Sequence, residues 1–122
     1  MTLDKFLGLM DVLLGEGGCP WDRAQTHESL RPYLLEESNE VIEAIDACDM
    51  DSLCEELGDV LLQVVFHSKL AEKAGAFTMQ DVLERLAEKM IRRHTHVFGN
   101  DKAVTQEDAL RIWSENKAKE KK

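Results

Sequence analysis

LLEESNEVIEAIDACDMDSLCEELGDVLLQVVFH, residues Leu34 to His67, reads as two helices carrying acid groups where a buried helix is apolar. At about 3.6 residues per turn, Tyr33, Leu34, Val41, Ala44, Ile45 and Cys48 share one face of the first helix. Glu37 falls in the middle of that face and Glu40 lies on its edge one turn on, while Glu36 and Glu43 continue the acidic flank. The second helix is apolar nearly all round from Leu57 to Phe66. Its main polar stripe is Glu56, Asp59, Gln63 and His67, stacked at i, i+3, i+7 and i+11.

A helix of this kind belongs in a core, so its carboxylates are poorly hydrated. Unpaired buried carboxylates cost on the order of several kcal/mol or titrate to neutral. Asp49-Met50-Asp51-Ser52 is a short connection rich in N-cap residues, which makes the two acidic helices antiparallel neighbours. Glu37 and Glu40 then meet Glu56 and Asp59, and facing carboxylates need a cation. Oxygen-only ligands suit Mg²⁺, or Mn²⁺ as a substitute, rather than zinc. A solvated face with charge pairs accounts for Glu43 and Glu55, whereas Glu37 and Asp59 have apolar neighbours on their own faces.

Glu36-Glu37-x-x-Glu40 followed by Glu56-x-x-Asp59 resembles the metal-binding signature of the all-α nucleoside triphosphate pyrophosphohydrolases. GCPWD (Gly18 to Asp22) and RRHTHVF (Arg92 to Phe98) narrow the resemblance to the MazG type, over about Leu3 to Lys117. The phosphoribosyl-ATP pyrophosphohydrolases share the acidic motif but not those two segments. The resemblance implies Mg²⁺-dependent hydrolysis of a nucleoside triphosphate at the α-phosphorus, releasing the monophosphate and pyrophosphate. Glu37, Glu40, Glu56 and Asp59 are then the metal ligands, and Glu36 orients the attacking water or adds a further ligand. Tyr33, Trp21, Trp113 and Lys117 are candidates for the nucleoside end and nearby phosphate. Many MazG proteins resemble two such domains in tandem; a single-domain form is expected over residues 1–122. A reading from a different class is a non-catalytic dimeric helical module whose acids hold a structural cation.

The 122 residues are enough for one domain with a core, and small enough to gain from a partner chain. No apolar run approaches the roughly 20 residues that span a bilayer, and no signal peptide precedes the first amphipathic helix, so no membrane partner and a cytoplasmic location are expected. A net charge of −9 argues against a nucleic acid polymer as partner. Cys19, Cys48 and Cys54 are odd in number and lack C-x-x-C spacing, which disfavours disulfides and zinc. Cys48 reads as a small core residue.

From the N-terminus, Leu3, Phe6, Leu7, Met10, Val12, Leu13 and Leu14 give a first helix from about Thr2, ended by Gly15, Gly17 and Gly18. GEGGCPWDRAQTH reads as a loop in which Trp21 either plugs the bundle end or offers a stacking surface for a base. Thr26 or Ser29 caps the main acidic helix, with Pro32 in its first turn and its end near Cys48. Leu35 and Ile42, seven apart on its other side, form a strip suited to a homodimer or larger even assembly. Gly58 points to close approach by a neighbouring helix or a ligand. The helix it sits in stops near Gly75, and Thr78-Met79-Gln80-Asp81 resembles a capping box for the next.

That next helix packs through Met79, Val82, Leu83, Leu86 and Met90, and Arg93 continues the stripe with Lys89 on its border. The two cations either grip phosphate oxygens and stabilise charge on a leaving pyrophosphate or pair with the spare acids, while Arg92 points outward. His94 and His96 read as hydrogen-bonding anchors where the chain leaves the helix. Thr105-x-x-Asp108 caps a last helix through Leu110, Ile112 and Trp113, with Lys117 on the face of Trp113, and the chain frays from about residue 118. The whole reads as an all-α bundle of about five helices with a dimeric core.

Overall fold

Helical periodicity and capping residues account for the architecture. Among the described residues, 1–121, the computed structural model contains five long helices and two single turns, with no strand. They are α1 (Leu3–Leu14), α2 (Pro20–Arg23), α3 (His27–Asp46), α4 (Met50–Lys73), α5 (Met79–Arg93), α6 (Thr95–Phe98) and α7 (Gln106–Lys119). None is long and apolar enough to cross a membrane. The chain forms two compact units, Met1–Met79 and Gln80–Lys122.

In the first unit the Thr2 hydroxyl accepts from the Lys5 amide and starts α1. Beyond its end, a Cβ on Gly18 would lie 2.2 Å from the Leu13 carbonyl oxygen. That same oxygen accepts from the Cys19 amide at 2.8 Å, so only glycine fits the turn. The segment expected as a loop contains the short helix α2, with Pro20 at its start. A four-residue helix is too short to show periodicity, but proline's fixed φ favours a first turn. Thr26 and Ser29 form a reciprocal capping box on α3. Pro32 therefore falls in the second turn rather than the first, where it removes one helical hydrogen bond.

α3 stops at Asp46, short of Cys48. Cys48 has φ +54° and is exposed, so it is a helix-terminating residue in the left-handed region and not a core residue. Asp49 then caps α4, accepting from the Ser52 amide at 3.1 Å. His27 at the start of α3 meets His67 late in α4, and Glu40 meets Glu56. The falling index on one helix against the rising index on the other makes the pair antiparallel, as expected.

Met10, Leu30, Ala44, Val65, Phe66, Ala71 and Met79 form the core of this unit. Burying a side chain such as Val65 or Phe66 contributes about 1.5–3 kcal/mol. Lys69 ties α4 to α1 by an ion pair with Asp11 at 2.7 Å and also meets Glu72. The imidazoles of His27 and His67 stack, with their Nδ1 atoms 2.7 Å apart. Burial and then the neighbouring His27 charge hold the His67 pKa below the usual histidine value.

Tyr33, Leu34 and Ile45, expected on the inner face of α3, are exposed, and of that face only Ala44 is buried. Leu35 and Ile42 are 65% and 54% exposed, and Leu57 and Leu61 of α4 are open too. Among the described residues of the first unit, nothing lies within 4 Å of a Cβ built on Gly58, so no neighbouring helix of that unit approaches it.

In the second unit Thr105 and Asp108 form the capping box of α7. Asn116, buried on α7, donates to the Thr95 hydroxyl at 2.9 Å, and that hydroxyl donates to Asp101 at 2.6 Å. α5 ends at Arg93 as expected, but Thr95–Phe98 coil into the separate turn α6. The stretch from about residue 118, expected to fray, begins inside a helix. α7 runs to Lys119, and the half-buried Glu120 is held by Arg92 and Arg93. Lys122, also part of that expectation, lies outside the described residues.

Candidate functional site

The antiparallel register of α3 and α4 brings together the four carboxylates singled out in the sequence. One oxygen from each of Glu37, Glu40, Glu56 and Asp59 lies within 4.8 Å of the others. The first three are half-buried and Asp59 is exposed. Glu37 and Glu56 each bury a carboxylate oxygen that has no hydrogen-bond partner. Burial, a hydrogen bond to Glu40, and the charges of Glu40, Asp59 and Glu36 raise the Glu37 pKa to about 7. The Glu56 pKa also rises to about 7, first through its hydrogen bond to Glu40 and then through burial and the neighbouring charges. Four converging hard oxygens, two of them without a partner, fit a hard divalent cation.

Glu36 lies outside this group. It is exposed on the flank of α3, beside Glu40 in a shallow depression that also includes Pro32, Leu35, Asn39 and Glu43. On the other side of Glu37 is a cavity of about 250 Å³ whose walls include Met10, Leu13, Leu30, Leu62 and Phe66. Trp21, Tyr33, Asp22 and Gln63 also line it. Trp21 and Tyr33 meet edge to face with ring centroids 5.8 Å apart. Trp21 is 51% exposed, which leaves its ring open rather than sealed into the bundle end. The stripe Glu56, Asp59, Gln63, His67 thus runs from the carboxylate cluster past the cavity to the histidine pair.

The remaining candidates form a group of their own in the second unit. Trp113 has the Arg93 guanidinium carbon 5.2 Å from its ring centroid and the Lys117 ammonium 5.0 Å from it. Arg93 donates from Nε at 3.1 Å and from Nη2 at 2.9 Å to the two oxygens of Glu120. Arg92 donates from Nε to Glu120 at 2.8 Å. The two arginines hold the Glu120 carboxyl down to about 2. Lys89 is half-buried on α5 and has no ion-pair partner among the described residues. His94 turns its Nδ1 to the Met90 carbonyl, which fits its expected anchoring part.

Residues 25–98 match the family model of the MazG nucleotide pyrophosphohydrolase domain. This chain belongs to the MazG family. It is 52% identical over 121 residues to the nucleoside triphosphate pyrophosphohydrolase/pyrophosphatase MazG of Thermotoga maritima, covering 99% of this chain and 46% of that protein. It is 41% identical over 120 residues to the nucleoside triphosphate pyrophosphohydrolase of Escherichia coli K12, covering 98% and 46%. The MazG chain thus spans less than half the length of these relatives. The crystal structure of a mazG-related protein from Thermotoga maritima has the same fold, with TM-score 0.77 and 27% identity over 95% of this chain and 99% of that one. The matched segment includes the EExxE and ExxD carboxylates and ends at Phe98 of RRHTHVF.

Two parts of this arrangement escape a sequence reading. His27 pairs across forty positions, and no local spacing signals that. Glu120 had a signal: Trp113, Lys117 and Glu120 lie at i, i+4 and i+7, one face of α7.

Proposed function

We propose that this MazG domain hydrolyses (deoxy)nucleoside triphosphates to the monophosphate and pyrophosphate in the presence of Mg²⁺, with Mn²⁺ as a working substitute. The observation that carries this reading is the cluster of Glu37, Glu40, Glu56 and Asp59 with its unpartnered buried oxygens. The names of the Thermotoga and Escherichia relatives support the reaction class. When bound, a divalent cation there offsets the charge of a phosphate chain and makes a coordinated water more acidic.

The protein's own groups then have separate tasks. Glu37, Glu40, Glu56 and Asp59 hold the cation through their oxygens. Glu36, adjacent in sequence and free of the cluster, accepts a hydrogen bond from the attacking water and orients it. Lys89 and Arg93 donate to phosphate oxygens as charge develops on the departing pyrophosphate. Lys117 and Trp113 assist at the phosphate and nucleoside. Trp21 and Tyr33 pack on the base or sugar, the cavity beside Glu37 giving that end an apolar wall.

The family match runs across the boundary at Met79, which supports reading residues of both units as parts of one MazG domain in sequence. The exposed strip of Leu35 and Ile42, together with the exposed Leu57 and Leu61 of α4, supports a homodimer or larger even assembly. A nucleotide-processing role places the protein in the cytoplasm, and the net charge of −9 disfavours nucleic acid polymers as substrates.

Purified protein incubated with Mg²⁺ and each common ribo- and deoxyribonucleoside triphosphate, with pyrophosphate and monophosphate quantified, tests the proposal. Equimolar release of both from at least one nucleotide is expected. Orthophosphate release would move cleavage to the γ-phosphorus and overturn the proposed reaction, whereas metal-dependent stability with no turnover would leave a non-catalytic metal-binding helical module.

A further inference from the structure

Arginine presents two edges on which it can hold an oxyanion. One is formed by Nε and Nη2, the other by Nη1 and the outer N–H of Nη2. In this protein the first edge of Arg93 is closed by Glu120, through the bonds of 3.1 and 2.9 Å. The indole of Trp113 packs against the guanidinium, and the Arg93 side chain is only 12% exposed. Glu120 is itself fixed from a second direction, because its Oε1 also accepts from Nε of Arg92. Nη1 of Arg93 has no partner among the described residues. A guanidinium pinned along one edge and packed on an indole has lost its rotational freedom, but its second edge keeps the spacing that fits two oxygens of one phosphate.

We propose that Glu120 is a positioning residue for Arg93, holding the guanidinium so that its Nη1–Nη2 edge is presented to the phosphate chain of the substrate. The inference rests on the phosphate-binding role given to Arg93 above and adds the residue that acts through it. Arg92, half exposed, is the outer anchor of Glu120 and donates nothing to substrate. Rotational order is set before substrate arrives, so the benefit falls on the chemical step, where small misplacements of a charged group weigh heavily.

Glu120→Gln keeps the shape of the side chain, but one of its two acceptors becomes a donor facing Arg93. Steady-state kinetics are compared for the parent, Glu120→Gln, Glu120→Ala, Arg93→Ala and the double variant Arg93→Ala/Glu120→Gln. Melting temperature is measured on the same samples. Glu120→Gln is expected to lower kcat roughly tenfold with little change in KM. The same substitution is expected to change nothing further in the Arg93→Ala background.

An equal loss from Glu120→Gln in both backgrounds, with a lowered melting temperature, would make Glu120 a support of α7 only and overturn the proposal. Unchanged or raised kcat/KM in Glu120→Gln, alongside an impaired Arg93→Ala, would overturn it too, a rise marking Glu120 as a competitor for the fork. Full activity in Arg93→Ala would instead remove the phosphate-binding role of Arg93 and this inference with it. Should Glu120→Ala fail to fold, the near-isosteric Gln variant carries the comparison alone.

Discussion

Glu37 of α3 and Glu56 of α4 face the same Glu40, and each buries an oxygen that no described residue satisfies. Burial, the hydrogen bonds to Glu40 and the neighbouring charges raise both carboxyls from their ordinary value of 4.5 to about 7. A carboxyl raised in the folded state holds its proton after the unfolded chain has lost it. Folding stability from this source therefore falls as pH rises from about 4.5 through about 7. His67 acts the other way, since its depressed pKa weakens the fold as pH drops below the usual histidine value. Urea unfolding of the metal-free parent and of Glu37→Gln across that range separates the two. The parent should lose stability relative to the variant as pH rises, and parallel curves would refute the assignment.

Cation binding has the opposite slope. It requires the ionised carboxylates, so Mg²⁺ or Mn²⁺ affinity should strengthen from pH 6 to 8 with release of protons. Calorimetry in buffers of different ionisation enthalpy measures the proton count. Affinity independent of pH would mean that Glu37 and Glu56 are not both ligands.

Glu37→Gln and Asp59→Asn should each abolish turnover while leaving the metal-free fold at least as stable as the parent, because each removes a negative charge from a like-charged group. Activity assays at saturating Mg²⁺ and thermal melts in chelator check both halves. A variant with full turnover would take its residue out of the site.

Gly58 tests assembly. An alanine Cβ there meets no described residue of the first unit, so Gly58→Ala in a monomer should add up to about 1 kcal/mol through helix propensity. If α4 packs on a partner chain at this point, the same change should destabilise and shift sedimentation toward monomer. The expectation, given the exposed Leu35 and Ile42 of α3 and Leu57 and Leu61 of α4, is an even assembly in sedimentation and a penalty from the alanine.

Cys48 occupies a left-handed position at the end of α3, where a side chain costs about 1–2 kcal/mol relative to glycine. Cys48→Gly should therefore raise stability by roughly 0.5–1 kcal/mol after the larger entropy of the unfolded glycine is counted. Denaturant unfolding at constant pH measures it, and a loss would mean the thiol makes contacts that offset the strain.

The helices and their caps were legible because they rest on local signals: the apolar spacing of α1, the Thr26 and Thr105 caps, and the alternation of acids with apolar residues in α3 and α4. The four carboxylates were legible for the same reason, once a short turn forced the two helices antiparallel. What the sequence hid depends on geometry with no periodic trace. Cys48 looked apolar by position on a helix that in fact ends two residues earlier. Ile45 looked inward by helical phase, but no described residue of the first unit packs over it and it is exposed. The C-terminal KAKEKK read as solvated by composition, yet Glu120 finds two arginines from the end of α5.

The α3–α4 pair is fastened at both extremities, by the Ala47–Asp49 turn at one and by the His27–His67 contact at the other. A beam fixed at two ends does not slide in the middle. A slip of one position would swing each carboxylate by about 100° around its helix, so the fold itself keeps the four carboxylates gathered. Under the proposed metal role, cation binding needs no refolding and its heat-capacity change is expected to be close to zero.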